Sequence, residues 1–262
     1  MRRPSTPGMN FRYGAVVRIP SPPSEERARE RRPFVSKFLC HSTSHIQAIT
    51  FDVGGTLIRP WPSVGQVYAE AAARHGAKNV SPTLLKERFV EAWRALEDFN
   101  HTRAEWAALV DETFRGLTDV PPSQTFFPEL FEHFARPDAW RLFDDALPAL
   151  EALASRGVKL GVISNWDDRL RPLLRDLQFS KYFEAIVVSC EVGFPKPSRV
   201  IFETAAEKLG LAPGAILHVG DSLPQDVEGA RLAGFQSLLV QRDAPSQGGQ
   251  RINSLLELCE SR

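Results

Sequence analysis

The chain has 262 residues, 43% hydrophobic and 24% charged; this is a globular composition, with room for one large domain or one domain carrying a sizeable insertion. No apolar run reaches membrane-spanning length, and Cys40, Cys190 and Cys259 form no CxxC pair, which argues against a membrane protein, a disulfide framework and a structural zinc site and accords with a cytoplasmic setting. The net charge of zero conceals a split: residues 1–45 hold nine Lys/Arg and three Asp/Glu, so the remaining chain is mildly acidic, which disfavours nucleic acid as a partner.

Residues 1–45 scatter six prolines among Ser and Arg without an apolar period, and are expected to form a disordered extension. An apolar strand over 46–52 then ends on Asp52-Val53-Gly54-Gly55-Thr56. Pro60-Trp61-Pro62 breaks the chain, and four helices are expected before about residue 137. The first covers 63–75. The second opens on Ser81-Pro82, with Leu84, Leu85, Phe89 and Trp93 at helical spacing. The third opens on a Thr102/Glu105 capping box, and the fourth covers 126–134. Trp61, Trp93 and Trp106 are expected to pack this helical insertion.

Helices and strands alternate from there. Strands are expected at 158–164, 185–189, 216–220 and 236–240, with helices at 145–156, 169–177, 197–209, 223–233 and 253–260. Such alternation predicts an α/β fold: a doubly wound, parallel, Rossmann-like sheet over 46–59 and 138–262, interrupted by a helical cap domain over 60–137.

Ligands of such sheets bind beyond the carboxyl ends of the strands. Those ends carry Asp52, then Ser164-Asn165, then Asp221 with Asp226 five residues on, while Lys196 stands between two prolines before a helix. Together they make a phosphoryl-transfer set. Asp52 is the nucleophile, giving an aspartyl-phosphate. Ser164 and Lys196 hold the phosphoryl oxygens. Mg2+ is held by Asp52, the Gly54 carbonyl and Asp221, with Asp226 alongside or acting through water. Gly55, Thr56 and Asn165 are candidate substrate contacts. His218, inside a strand, is expected to be a satisfied interior residue.

FDVGGTL, VISN, GFPKPSRVIFE and HVGDSLPQDVEGARLAG, in that order, resemble the four motifs of the haloacid dehalogenase (HAD) superfamily. The helical insertion is similar to the C1 cap of its subfamily I. PSVGQVYAEAAARHG, SNWDDRL and HVGDSLPQDV resemble the rhythmically-expressed-gene-2-like branch, related to HAD-like hydrolase domain-containing protein 3. The resemblance implies a Mg2+-dependent phosphatase acting on a small phosphorylated metabolite, as a monomer or homodimer, with no nucleic-acid or membrane partner.

One departure stands out. Phosphatases of the superfamily carry a second aspartate, a general acid/base, two residues after the nucleophile; here that position is Gly54. Loss of such a group typically costs on the order of 10²–10⁴ in rate. The alternatives are therefore a slow phosphatase, a degenerate phospho-ligand or partner-binding protein, and a dehalogenase- or phosphonatase-type hydrolase. The last would need a cap lysine, Lys78 or Lys86. Asp-Val-Gly-Gly-Thr also resembles the first phosphate loop of hexokinase-like sugar kinases, a fold the later helices disfavour.

Overall fold

A computed structural model describes residues 46–77, 79–96, 99–242 and 250–260. The extension over 1–45, Lys78 and most of the 241–250 loop lie outside the described residues.

Ala48–Phe51 forms β1, an all-buried strand whose alternation sends Ile49 and Phe51 to one core and Ala48 to the other. A tight turn, closed by Leu57 N–H on the Val53 carbonyl at 2.9 Å, leads into β2, Ile58–Pro60. The helical insertion follows: α1 (Val64–Arg74), α2 (Pro82–Arg94), α3 (Arg103–Thr113) and α4 (Phe127–His133). The side chains of Ser63, Ser81 and Thr102 accept the N–H groups of Gln66, Leu84 and Glu105, and both halves of the Thr102/Glu105 box are made. Caps of this kind contribute about 1 kcal/mol each. The insertion has its own core around Tyr68, Leu85, Val110, Phe114 and Leu130.

Trp140–Leu142 is β3, and pairs antiparallel with β2 across the whole insertion, Ile58 opposite Leu142 and Pro60 opposite Trp140. The sequence did not announce this pair, because each strand is three residues long and its partner lies some eighty residues away. Trp61 also departs from expectation: it is 42% exposed, under the Arg141 guanidinium at 5.3 Å, rather than packed among the helices.

The chain continues through α5 (Ala146–Ser155), β4 (Lys159–Ser164), α6 (Leu170–Asp176), β5 (Ala185–Val188), the short α7 (Ser189–Val192), α8 (Arg199–Leu209) and β6 (Ile216–Gly220). The helix expected over 223–233 opens instead as a wide π-type turn, Leu223–Glu228, before α9 (Gly229–Leu232). Gln236–Val240 is β7, and Arg251–Ile252 adds an unanticipated β8. The last expected helix is a 3-10 segment, Leu255–Cys259, opened by a Ser254/Glu257 capping box.

The main sheet runs β5-β4-β1-β6-β7-β8, and all its neighbours pair in parallel. The chain winds outward from β1 through β4 to β5, then returns to β6 on the other side. That reversal is a topological switch point, and it places the carboxyl ends of β4, β1 and β6 side by side. The fold is the expected doubly wound α/β sheet with a helical insertion. Among the described residues no helix is long and apolar enough to cross a membrane.

Candidate active site

Asp52 follows β1 directly, fixed by its N–H on the Val219 carbonyl at 2.9 Å. Ser164, the last residue of β4, donates its hydroxyl to Asp52 Oδ1 at 3.0 Å. Lys196 Nζ reaches the same oxygen at 2.8 Å and Asp226 Oδ1 at 2.6 Å. Asp221 follows β6, and oxygens of Asp52, Asp221 and Asp226 lie within 4.8 Å of one another. The catalytic trio expected from the sequence is thus brought together.

Asn165 lines the cavity and is also engaged by the Lys196 backbone. Its side-chain oxygen accepts the Lys196 N–H at 2.7 Å and its amide donates to the Lys196 carbonyl at 3.0 Å. Although it lines the cavity, its carboxamide is occupied in fixing the Lys196 backbone, a positioning role more than a substrate contact. Thr56 departs from expectation: it is fully buried and is not among the residues lining the cavity. Its carbonyl accepts from Arg242 at 2.7 Å, and Arg242 is in turn paired with Asp145, so this residue braces the loop from behind. Gly55 is where expected, and glycine is required there on two counts. Its φ of +82° is left-handed, and an added Cβ would fall 2.3 Å from Asp221 Oδ2.

His218 is the functional residue that sequence reasoning undervalued. Interior and satisfied, it also touches the centre: Nε2 lies 3.2 Å from Asp226 Oδ1 and Nδ1 lies 3.0 Å from Thr50 Oγ1. Burial holds His218 below its ordinary value, hence neutral. A neutral imidazole facing a carboxylate through Nε2 carries its proton there, so Nδ1 accepts from the Thr50 hydroxyl. The available signal was strand periodicity: His218 and Gly220 share a face of β6, and Asp226 comes back over that face with Oδ2 on the Ser222 N–H at 2.9 Å.

Electrostatics separates the three acids. Burial raises Asp52 above its ordinary value, against the opposing pull of Lys196. Burial, then the charges of Asp52 and Asp226, push Asp221 up to about 7, although it faces open space in the cavity. Burial acts upward on Asp226 too, but Lys196 and His218 overcome it and hold that carboxyl well below the usual range. Burial opposes the charge on Lys196, yet Asp226 and Asp52 outweigh it and keep the ammonium protonated. Three crowded acids with one ammonium leave an excess of negative charge. Asp221 in particular, raised by burial and by the neighbouring acids, offers a hard oxygen donor of the kind Mg2+ takes. The residues fit a divalent cation held by Asp52 and Asp221 with the Gly54 carbonyl. Asp226 is already engaged by Lys196, His218 and the Ser222 N–H, so it fits a supporting place behind them.

A sequence profile described as "haloacid dehalogenase-like hydrolase" matches residues 46–234. The chain belongs to the haloacid dehalogenase-like hydrolase family. Among similar proteins, Haloacid dehalogenase-like hydrolase domain-containing protein 3 of Mus musculus is 34% identical over 218 residues, covering 79% of this chain and 86% of that one. A HAD phosphatase from Thermococcus onnurineus superposes with a TM-score of 0.59 at 27% identity, covering 81% of this chain and 96% of that one. The putative HAD-hydrolase YfnB from Bacillus subtilis, crystallised bound to magnesium, gives 0.62 at 23% identity over 81% of this chain and 96% of its own, a likeness of fold.

Against the other hydrolases of this family, the Gly54 position acquires a structural meaning. An added Cβ there would lie 3.2 Å from Cζ3 of Trp166. The indole therefore stands where a second aspartate would extend. Its place is fixed: the Trp166 backbone N–H donates to Ser189 Oγ at 3.0 Å, and the ring packs on Trp140 at 5.1 Å. Trp166 belongs to a cavity of about 410 Å³ that has the acids and Lys196 on its floor and the insertion's rings above. Lys86, on α2, is exposed and is not among the residues lining that cavity, which weakens the phosphonatase alternative; Lys78 lies outside the described residues.

The loop after β4 ties the floor to the insertion. Asp167 accepts the Trp106 indole N–H at 3.0 Å and pairs with Arg169 at 2.6 Å, while Arg169 donates to the Phe131 carbonyl at 2.6 Å. The Arg169 guanidinium also lies over the Phe131 ring, 3.5 Å from its centroid. His101 joins the same wall, against Phe99 at 4.7 Å, and burial pushes its imidazole down to about 4 despite Asp167 and Glu105. The unfolded chain then takes up this proton more readily than the folded one. The stability tied to neutral His101 is complete above the ordinary histidine value of 6.5 and is lost as pH falls towards about 4. Urea unfolding at pH 7.5 and pH 4.5 is expected to show a smaller acid loss in His101→Asn, a residue that tolerates the φ of 62° found here, by up to about 3 kcal/mol. Equal losses in the two proteins would contradict this assignment.

Proposed function

We propose that this hydrolase is a Mg2+-dependent phosphomonoesterase that works through a phosphorylated Asp52 on a small phosphorylated molecule. The observation that carries this is the convergence on Asp52 Oδ1 of the Ser164 hydroxyl and the Lys196 ammonium, with Asp221 beside it, at the floor of the cavity. A bound Mg2+ would offset the repulsion between these carboxylates and an incoming phosphate and polarise its oxygens.

The chain's own residues supply the rest. Asp52 attacks phosphorus in line while Lys196 and Ser164, already at hydrogen-bond distance from its carboxylate, stabilise the phosphoryl oxygens as charge shifts. Asn165 holds Lys196 in register from the backbone side, and His218 with Thr50 fixes Asp226, which in turn orients the Lys196 ammonium. The insertion roofs the site and limits water. The name of the Thermococcus onnurineus neighbour, a HAD phosphatase, supports the reaction class. The unpaired thiols Cys190 and Cys259 accord with a cytoplasmic location.

The test is a panel of phosphate monoesters assayed with EDTA and then with excess Mg2+. Phosphate release that requires Mg2+ is the expected result. Trp166 over Gly54 favours one other reading, a binder that no longer turns over. Saturable binding of phosphate compounds without release from any ester would support that reading and overturn the enzymatic one.

A further inference from the structure

Resting on the phosphoryl-transfer reading above, we infer that the substrate is an aryl phosphate, the phosphate monoester of a phenol, because an aromatic-walled cavity stands over a nucleophile whose loop carries Gly54 where an acid for the leaving group would stand.

Two independent observations meet in that class. The first is the wall. Trp93 and Trp106 stack at 5.6 Å with planes 24° apart, Phe89 stacks on Trp93 at 6.0 Å, and Trp140 lies against Trp166 at 5.1 Å. The polar groups among these rings are turned to one another. The Trp106 N–H is on Asp167, the Trp140 N–H is on the Phe134 carbonyl at 3.1 Å, and Arg169 is taken by Asp167 and the Phe131 carbonyl. A sugar or polyol phosphate would surrender its hydration to these rings and find partners only at the few other polar side chains of the lining, such as Tyr68, Arg94, His101 and Gln225, whereas a planar ring meets a mainly apolar, aromatic surface. The cavity of about 410 Å³ suits a phosphate carrying one or two rings.

The second observation is the chemistry of departure. Gly54 has no side chain to protonate a leaving oxygen, and the Trp166 ring, 3.2 Å from where a Cβ would stand, is an apolar neighbour that cannot do so either. The leaving group must therefore depart as a stable anion, as a phenolate can and an alkoxide cannot. An Asp52 oxygen bonds to phosphorus, the phosphorus–aryl oxygen bond breaks, and its electron pair leaves on the phenolate, which solvent protonates. Water then attacks the phosphorus of the aspartyl-phosphate. Its oxygen stays on the released phosphate, its proton passes to a phosphoryl oxygen, and the bond to Asp52 breaks to restore the carboxylate.

The experiment compares wild-type protein with saturating Mg2+ on four kinds of ester: ring-substituted phenyl phosphates of graded phenol acidity, benzyl phosphate, cyclohexyl phosphate and a hexose 6-phosphate. Phenyl phosphate is expected to exceed cyclohexyl phosphate in kcat/KM by roughly 10²-fold or more, the scale of a missing general acid. The rate should climb steadily with phenol acidity. Benzyl phosphate, with the ring but an alkoxide leaving group, should compete as well as phenyl phosphate yet turn over slowly. Equal or faster turnover of cyclohexyl or hexose phosphate, or a rate indifferent to phenol acidity, overturns the aryl assignment while leaving the phosphatase reading intact. Silence toward every ester, with Asp52 never phosphorylated, overturns both.

Discussion

Asp52→Asn is expected to abolish Mg2+-dependent phosphate release, by a factor on the order of 10⁴ or more, without loosening the fold. Nucleophile removal has effects of this size because no other group can form the covalent intermediate. Among the described residues, the carboxylates nearest phosphorus are otherwise committed. Asp226 is held by Lys196, His218 and the Ser222 N–H, and Asp221 is the carboxylate assigned to the cation. Asparagine keeps an acceptor for Ser164 and Lys196 at the same place. It also removes a charge that burial and Asp226 disfavour: the folded Asp52 sits above its ordinary value, so at neutral pH its ionised form costs stability. The variant should therefore melt at the wild-type temperature or higher while its activity disappears. Retained activity, or loss of activity together with a lower melting temperature, would count against this role for Asp52.

The second large effect concerns Gly54 and depends on Trp166. Gly54 has no left-handed φ, so its backbone accepts an aspartate; the obstacle is the indole at 3.2 Å from the new Cβ. Gly54→Asp alone is expected to gain little activity and to lose about 1–3 kcal/mol of stability, the usual cost of overpacking. Combined with Trp166→Ala, which opens the space, the same aspartate should raise turnover of alkyl phosphates by on the order of 10²–10⁴. Kinetics on cyclohexyl phosphate for the wild type, both single variants and the double variant would decide. A full gain in Gly54→Asp alone would show that the ring yields freely. No gain in the double variant would show that Gly54 is not the place of a missing acid.

How much of this was legible in the sequence follows from the range of the interactions. Asp52, Ser164 and Asp221 stand at the ends of apolar strands, Lys196 on the loop before a helix and Asp226 in the turn five residues after Asp221, and the sheet's winding gathers such ends, so they were readable one by one. The Ser81 and Thr102 caps of the insertion are local hydrogen bonds within four residues, and were readable for the same reason. The β2–β3 pair and the short β8 were not, since their partners are remote and their apolar runs too brief to show a period. Thr56 and Asn165 were read as substrate contacts, and the bonds they make within the fold were not legible. A left-handed Gly55 turns the chain inward before Thr56, and Asn165 is satisfied by the Lys196 backbone thirty-one residues away. The missing aspartate at Gly54 was visible as a letter, whereas the indole that fills its place is a contact across 112 residues that no local pattern encodes.

The central claim is that Asp52 carries the phosphoryl group. It is tested most directly by acid-quenching the protein during turnover of phenyl phosphate with Mg2+ and weighing its peptides by mass spectrometry. The predicted result is one phosphoryl group on the peptide containing Asp52, absent when Mg2+ is withheld and absent in Asp52→Asn. Phosphate release at the same rate with that peptide unmodified, or with the phosphoryl group on another residue, would contradict it.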